Sequence, residues 1–258
     1  DLSEPEKTIR LNNELANNGS VSRTGFEFTP DGRHIVFVAR DIKPYYELYS
    51  VELTAPTQTV RLNAIGGSVG DSYEGRFKVL PDSSRVIYSA VWNNPGVREL
   101  HIVSLDQPGQ PMTLNSPLQS EGYVYYFDVS LDGNYATYTA DQDIDGVLEV
   151  FFVDTDIPGV SFKVNDNAQS IATLARFTPD SKRIIYTSDA NRDVQDRDLY
   201  SFMIDSKERV RLNSSLNQGF EVSAYDVDSD VSKVVYKVEP ANGFATDLML
   251  MDIAKPSS

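Results

Sequence analysis

The chain contains no cysteine, which removes disulfides, thiolate metal ligands and a cysteine nucleophile at once. Positive charge is scarce as well. Lys and Arg number 23 against 38 Asp and Glu, a formal net charge of −15, and such a surface repels a phosphate backbone and an anionic membrane face. Nucleic acid is therefore not an expected partner, whereas cations, glycans and proteins are. No apolar run approaches the roughly 20 residues that a membrane-crossing helix needs, so membrane insertion is not expected. Amphipathic helical patterning, low-complexity tracts and charge blocks are absent too. The first residue is Asp1, which leads to the expectation that an export signal has been removed and that the protein is periplasmic or extracellular.

What the chain does have is a repeat. Phe177-Thr-Pro-Asp-Ser-Lys-Arg-Ile-Ile-Tyr186 is copied at Phe28 to Phe37, Val79 to Tyr88, Val129 to Tyr138 and Val227 to Tyr236. The shared aspartates are Asp31, Asp82, Asp132, Asp180 and Asp230, at steps of 51, 50, 48 and 50 residues. Self-similarity of that length marks stacked structural units. Within each copy, Pro-Asp-Gly or Pro-Asp-Ser suits a tight turn, because proline presets φ and Asp or Gly tolerates the remaining turn conformations. The next residues, such as Ile184-Ile185-Tyr186, are apolar at successive positions, as in a strand buried on both faces. An aromatic stands six residues after each aspartate (Phe37, Tyr88, Tyr138, Tyr186 and Tyr236), where a large ring fills the gap between stacked sheets.

Each unit reads as four strands, in the first unit about residues 23 to 28, 33 to 39, 47 to 53 and 59 to 63. The third strand recurs as Glu47-Leu-Tyr-Ser-Val51, Glu99-Leu-His-Ile-Val103, Glu149-Val-Phe-Phe-Val153, Asp198-Leu-Tyr-Ser-Phe202 and Asp247-Leu-Met-Leu-Met251. The fourth ends in Asn63, Asn115, Asn165 and Asn213. Lys7-Thr-Ile-Arg-Leu-Asn12 has the same ending without three strands before it, and the fifth unit lacks the ending. The expected fold is therefore all-β: a five-bladed β-propeller of four-stranded antiparallel blades, closed by the N-terminal strand completing the last blade. One domain, 1–258, is expected, with blades at about 13–63, 64–115, 116–165, 166–213 and 214–258 plus 1–12.

The Phe-Thr-Pro-Asp-Gly turn, the Ile-Val-Phe strand and the Glu-Leu-Tyr-Ser-Val strand resemble the TolB-like β-propeller repeat over essentially the whole chain. The resemblance implies a propeller fold, with six blades the usual number and five found here. It extends to periplasmic and secreted binding modules, to propellers attached to peptidases and to some polysaccharide lyases.

The most specific chemistry lies at Asp141-Gln-Asp143-Ile-Asp145-Gly146-Val-Leu-Glu149. Acidic oxygens at positions one, three, five and nine with glycine at six match the first part of an EF-hand loop and resemble the calcium loops of integrin-type propellers. Carboxylates about 4 Å apart repel by about 1 kcal/mol per pair in water and about 4 kcal/mol at an effective dielectric of 20, and calcium reverses that sign. Asp141, Asp143 and Asp145 would supply side-chain oxygens, Val147 its carbonyl and Glu149 the closing carboxylate. Asp189, Asn191 and Asp193 form a looser version without the glycine.

Loops between second and third strands share a face with the inter-blade links. That face would display Tyr45, Tyr46, Trp92, Tyr123, Tyr125 and Phe244, and exposed aromatics beside a polar rim suit a protein or glycan partner. Catalysis finds little support. His34 and His101 fall at ordinary repeat positions, and the G-x-S-x-G match around Ser68 sits in an inter-blade link and not at a strand-to-helix turn. The expected function is a calcium-stabilised binding or scaffold module without enzymatic activity, standing alone or as one part of a longer surface protein. The alternative is a carbohydrate-active enzyme, a glycoside hydrolase or lyase, using channel carboxylates such as Glu27, Glu74, Glu121 or Glu221.

Overall fold

Nineteen short strands account for all the regular structure among the described residues of the computed structural model, which are 8–15, 19–40, 46–69, 77–92, 96–119, 121–165, 172–189, 197–217, 219–240 and 246–253. They form five antiparallel meanders in which neighbours in sequence are neighbours in the sheet. The first comprises β1 (Ser20–Phe28), β2 (His34–Arg40), β3 (Glu47–Glu52) and β4 (Thr59–Arg61); the second β5 (Phe77–Val79), β6 (Arg85–Val91), β7 (Arg98–Ser104) and β8 (Met112–Thr113). The third holds β9 (Val124–Val129), β10 (Tyr135–Ala140), β11 (Glu149–Asp154) and β12 (Ser161–Lys163); the fourth β13 (Ala172–Phe177), β14 (Arg183–Asp189), β15 (Arg197–Met203) and β16 (Arg209–Arg211). The fifth has three strands, β17 (Phe220–Val227), β18 (Lys233–Pro240) and β19 (Asp247–Asp252). The chain divides into two compact units, Asp1–Leu114 with two sheets and Asn115–Ser258 with three, a boundary at the end of the second repeat.

The repeated turn is held by its aspartate. Asp31 Oδ1 accepts from Thr29 Oγ1 at 2.6 Å and from the Arg33 amide at 3.0 Å; Asp132 and Asp180 accept from Ser130 Oγ and Thr178 Oγ1 at 2.6 Å. In the fifth copy Asp228 replaces Asp230 in this role, accepting from the Ser232 and Lys233 amides at 2.7 Å. The residue after the aspartate turns left-handed, at φ +69° for Gly32 and +76° for Gly133, which glycine accepts without steric cost.

The recurrent aromatic pairs with the third strand. Phe37 stacks on Tyr49 at 5.6 Å between centroids, Tyr138 on Phe151 at 5.4 Å and Tyr186 on Tyr200 at 5.5 Å. In the second sheet His101 takes the partner's place against Tyr88 at 5.4 Å, and in the fifth Met249 stands opposite Tyr236.

Sheets stack through one constant arrangement. In the first unit, Leu48 and Leu62 of the first sheet pack with Phe77, Val79, Val86 and Tyr88 of the second. In the second unit, Val150 and Val164 pack with Ile184 and Tyr186, and Leu199 and Leu212 with Val234 and Tyr236. Each fully buried Leu, Ile or Val adds about 1.5–3 kcal/mol, so this layer is the main source of stability.

The fourth-strand asparagines close the third strands. The Leu48, Val150 and Leu199 amides donate to Asn63, Asn165 and Asn213 Oδ1 at 2.8, 2.9 and 2.7 Å. All three asparagines are buried, and an orphaned buried amide costs about 1–3 kcal/mol. Asn165→Ala should therefore lower the unfolding free energy by that amount in urea titration, while Asn165→Asp, which keeps an acceptor, should lose less.

The expected fourth strand of the last sheet is not formed among the described residues. Residues 8 to 12 lie in no sheet, and Leu11 packs beside Phe37, Ala39 and Val51 of the first sheet. Its carbonyl accepts from Thr59 Oγ1 at 3.0 Å. Repetition shows that a segment can form an edge strand; the edge it meets depends on contacts far away in sequence.

Candidate functional site

The Asp141–Glu149 loop joins β10 to β11, where Ala140 and Glu149 are the last paired residues. Gly146 takes φ +69°, and the Val147 amide donates to the Ile144 carbonyl at 3.1 Å, which makes a tight turn at the tip of the loop. Asp141 is buried, and its Oδ1 accepts from the Tyr123 amide at 2.6 Å. Glu149 is fully buried; one oxygen accepts from the Asp143 amide at 2.9 Å and the other from Lys163 Nζ on β12. Lys163 also reaches Asp143 Oδ2 at 3.2 Å. Asp145 is exposed and Val147 is buried.

Of the five expected metal ligands, Asp143 and Glu149 converge, on the ammonium of Lys163. Among the described residues no group of three or more His, Cys, Asp or Glu side chains is placed to hold a metal ion. A charge already stands between Asp143 and Glu149: the ammonium of Lys163. Burial would lower the pKa of Lys163, but Glu149 and Asp143 outweigh it and hold the group above its ordinary range.

Lys163 belongs to a pattern that sequence reasoning missed. An acid opens the third strand and a base on the fourth faces it: Arg61 Nη1 lies 2.9 Å from Glu47 Oε1, and Arg211 Nη2 lies 2.8 Å from Asp198 Oδ1. Glu149 with Lys163 is the third such pair. The signal was present in the alternation of Glu or Asp with Arg or Lys across the repeats. The second sheet departs from it, since Thr113 takes the base's place opposite His101, and burial raises the Glu99 carboxyl above its usual pKa.

His101 is fully buried between Tyr88 and Trp92, whose ring meets it edge-on at 5.9 Å. Its Nδ1 lies 3.4 Å from Thr113 Oγ1, and Nε2 has no hydrogen-bond partner among the described residues. Burial pushes its pKa down to about 4, against a smaller opposing effect of the Ala90 backbone. It is therefore a neutral core group at neutral pH.

Of the expected aromatic face, Tyr45 and Phe244 lie outside the described residues, as do Glu74, Asn191 and Asp193. Tyr46 is buried, with the Arg40 guanidinium 5.1 Å from its ring centre. Trp92 is half-buried against His101. Tyr123 and Tyr125 come together, with ring centroids 4.7 Å apart. Val124 and Tyr126 pair with the consecutive residues Ala140 and Thr139, leaving Tyr125 as the extra residue of a bulge, and bulges re-aim side chains out of a ladder. Tyr125 is 54% exposed. Its phenol pKa is raised by partial burial and then by Asp141, Tyr123 and Asp145, which places the ring beside the acidic loop.

The candidate channel carboxylates are dispersed. Arg197 Nε holds Glu221 Oε2 at 2.6 Å. Burial raises Glu27 despite the charge of Lys78, and Glu121 is exposed in a left-handed turn at φ +67°. Ser68 exchanges backbone hydrogen bonds with Val91 at 2.9 and 3.0 Å.

No family model matches the chain, and no curated protein does. Among solved structures it is similar to a putative TolB from Agrobacterium tumefaciens, at 17% identity over 89% of this chain and 76% of that one, with a TM-score of 0.54. It is also similar to a structure from a study of two prolyl endopeptidases, at 16% identity over 93% of this chain, with a TM-score of 0.61. It spans 35% of the length of that second protein. At these identities the likeness is one of fold, and it gives the five repeated sheets a propeller-type architecture. No helix among the described residues is long and apolar enough to cross a membrane.

Proposed function

We propose that this protein is a binding or scaffold module, periplasmic or extracellular, that recognises a protein partner through Tyr125 and the carboxylates beside it. The observation that carries this reading is the bulge of β9, which turns Tyr125 outward beside Tyr123 and the Asp141–Glu149 loop. Lys163 engages Asp143 and Glu149, while Asp145 stands exposed at the tip. An aromatic face next to a carboxylate suits a lysine or arginine side chain, by cation–π attraction and a charge-assisted hydrogen bond. The net charge of −15 steers the same kind of partner toward the surface.

The test is binding of immobilised protein to lysine- and arginine-rich peptides, with a glycan array in parallel. Tyr125→Ser should weaken peptide binding about tenfold, the equivalent of about 1.4 kcal/mol, in keeping with a cation–π contact. Equal binding by the variant would sink the reading, and capture of neutral glycans alone would move the proposal to a carbohydrate partner. The second reading is a carbohydrate-active enzyme, favoured by the raised carboxyls of Glu27 and Glu99, the state a general acid needs. Oligosaccharide cleavage lost in Glu27→Gln would establish it.

Calcium in the Asp141–Glu149 loop is a further proposal, supported by the spacing of its oxygens. An ion could enter only by displacing Lys163 from Glu149. Bound at 100 times its dissociation constant it would add about 2.7 kcal/mol, so the melting midpoint should rise with calcium, and rise more in Lys163→Met. A midpoint indifferent to millimolar calcium and to chelator in both chains would remove the metal.

A further inference from the structure

Three of the sheets carry a base of their own for the acid that opens the third strand, and the second sheet does not. Arg61, Lys163 and Arg211 stand on the fourth strand opposite Tyr49, Phe151 and Tyr200. From there they reach Glu47, Glu149 and Asp198, two residues earlier on the third strand. In the second sheet the acid is kept as Glu99, but the residue opposite His101 is Thr113, too short to bring a charge to it. Burial raises the pKa of Glu99, with no base offsetting it among the described residues. The neighbouring Arg98 is no substitute, since it lies on the other face of β7 and its Nη1 donates to the Val69 and Ser89 carbonyls at 3.2 Å.

What surrounds Glu99 suits a cation. On this face of the sheet Glu99 stands directly opposite Ala90, and His101 opposite Tyr88. Ala90 is small, and Trp92, two residues further on, brings its ring to 5.9 Å from that of His101. The indole and the carboxylate are therefore diagonal neighbours across Ala90, within the reach of an aromatic side chain. The indole is held against the backbone of Gly67, where a Cβ would lie 3.5 Å from Trp92 Cβ and 3.6 Å from Cδ1. Trp92, Glu99 and Thr113 are each partly exposed, and β8, which carries Thr113, is the outer strand of its sheet, so a ligand can enter past Thr113. All these residues belong to the first compact unit, Asp1–Leu114.

We propose that Glu99, Trp92 and Thr113 form a binding site for a guanidinium group supplied by a ligand, which takes against Glu99 the place that Arg61 and Arg211 take against Glu47 and Asp198. The carboxylate supplies charge-assisted hydrogen bonds, the indole a cation–π contact and Thr113 Oγ1 a further acceptor. A guanidinium is favoured over an ammonium because two of the three internal bases are arginines. A planar, weakly hydrated cation also stacks on an aromatic ring better than a compact, strongly hydrated one. The site shares no residue with Tyr125 and the Asp141–Glu149 loop, so either can fail without the other.

Trp92 is the only tryptophan of the chain, so its fluorescence reads this site directly. Arginine capped at both ends as an N-acetyl amide should change the emission saturably at neutral pH, and the same derivative of citrulline, a neutral isostere, should not. Glu99→Gln should weaken binding of the capped arginine about tenfold. Thr113→Arg should abolish the response, because the added side chain fills the place as Arg61 does in the first sheet. That variant copies an arrangement the fold already contains, so it decides the matter even if Glu99→Gln does not fold. Free arginine separates two sources: tighter binding of the free amino acid supports the site as one for a small guanidino compound, and tighter binding of the capped form supports it as one for an arginine side chain of a protein. No saturable change with either arginine probe, an equal change with citrulline, or an unaltered affinity in Thr113→Arg or in folded Glu99→Gln overturns the proposal.

Discussion

Replacing Lys163 by methionine is expected to lower stability by about 3 kcal/mol, the low end of the range for breaking a buried ion pair. Glu149 is fully buried, and among the described residues only Lys163 compensates its charge with a full opposite one; the low end applies because Lys163 is itself partly exposed. Methionine keeps the stem's packing, so the loss reports charge and not volume. A control rests on the same physics. Glu149→Gln in the Lys163→Met background should recover most of the loss, because the buried group is then neutral and still accepts from the Asp143 amide. Urea titration at neutral pH measures both variants. A deficit under about 1 kcal/mol at neutral pH would mean that the pair behaves as a surface bridge and that the loop owes its shape to its turn alone.

The second large effect is expected from His101. Its folded pKa of about 4 lies below the ordinary 6.5, so between those values the unfolded chain binds the proton and the folded chain does not. Stability is therefore complete above pH 6.5 and falls as pH drops toward 4, by about 3 kcal/mol in all at 1.36 kcal/mol per unit of pKa difference. His101→Phe should remove this slope while keeping the core, because Phe151 fills the same position against Tyr138 in the third sheet. Carboxylates with lowered pKa, such as Asp82 and Asp228, lose their contribution only further down the scale, and they are common to both chains. The comparison is thus the difference between native and His101→Phe unfolding free energies at pH 7 and pH 4.5. Parallel curves would show that the proton enters without opening the core.

The two expectations differ in how far they could be read from residues alone. That His101 occupies a packing position was legible, because it aligns with Tyr49, Phe151, Tyr200 and Met249. That Lys163 serves Glu149 was not. The loop matched a calcium pattern at every acidic position, and a one-dimensional pattern says nothing of a base 14 residues away on the next strand. Similarly, Tyr46 and Tyr125 looked alike as loop-face aromatics, yet Tyr46 is buried under Arg40 and Tyr125 is turned out by a bulge. A bulge adds one residue to a ladder and reverses every side chain beyond it, and the sequence carries no mark of it beyond the pairing it disturbs.

The sequence by itself determined the unit: the aspartate turn, the aromatic on the second strand, the acid opening the third and the asparagine ending the fourth. Each is a local interaction, or one between adjacent strands of a meander, and so recurs wherever the same residues recur at the same spacing. Only the tertiary structure decided what meets the ends of the repeat. There, Leu11 lies on the first sheet, β19 has no outer neighbour in its sheet among the described residues, and the acidic loop closes on a lysine. These outcomes turn on contacts between distant segments, whose free energy depends on register and burial that no single stretch of residues contains.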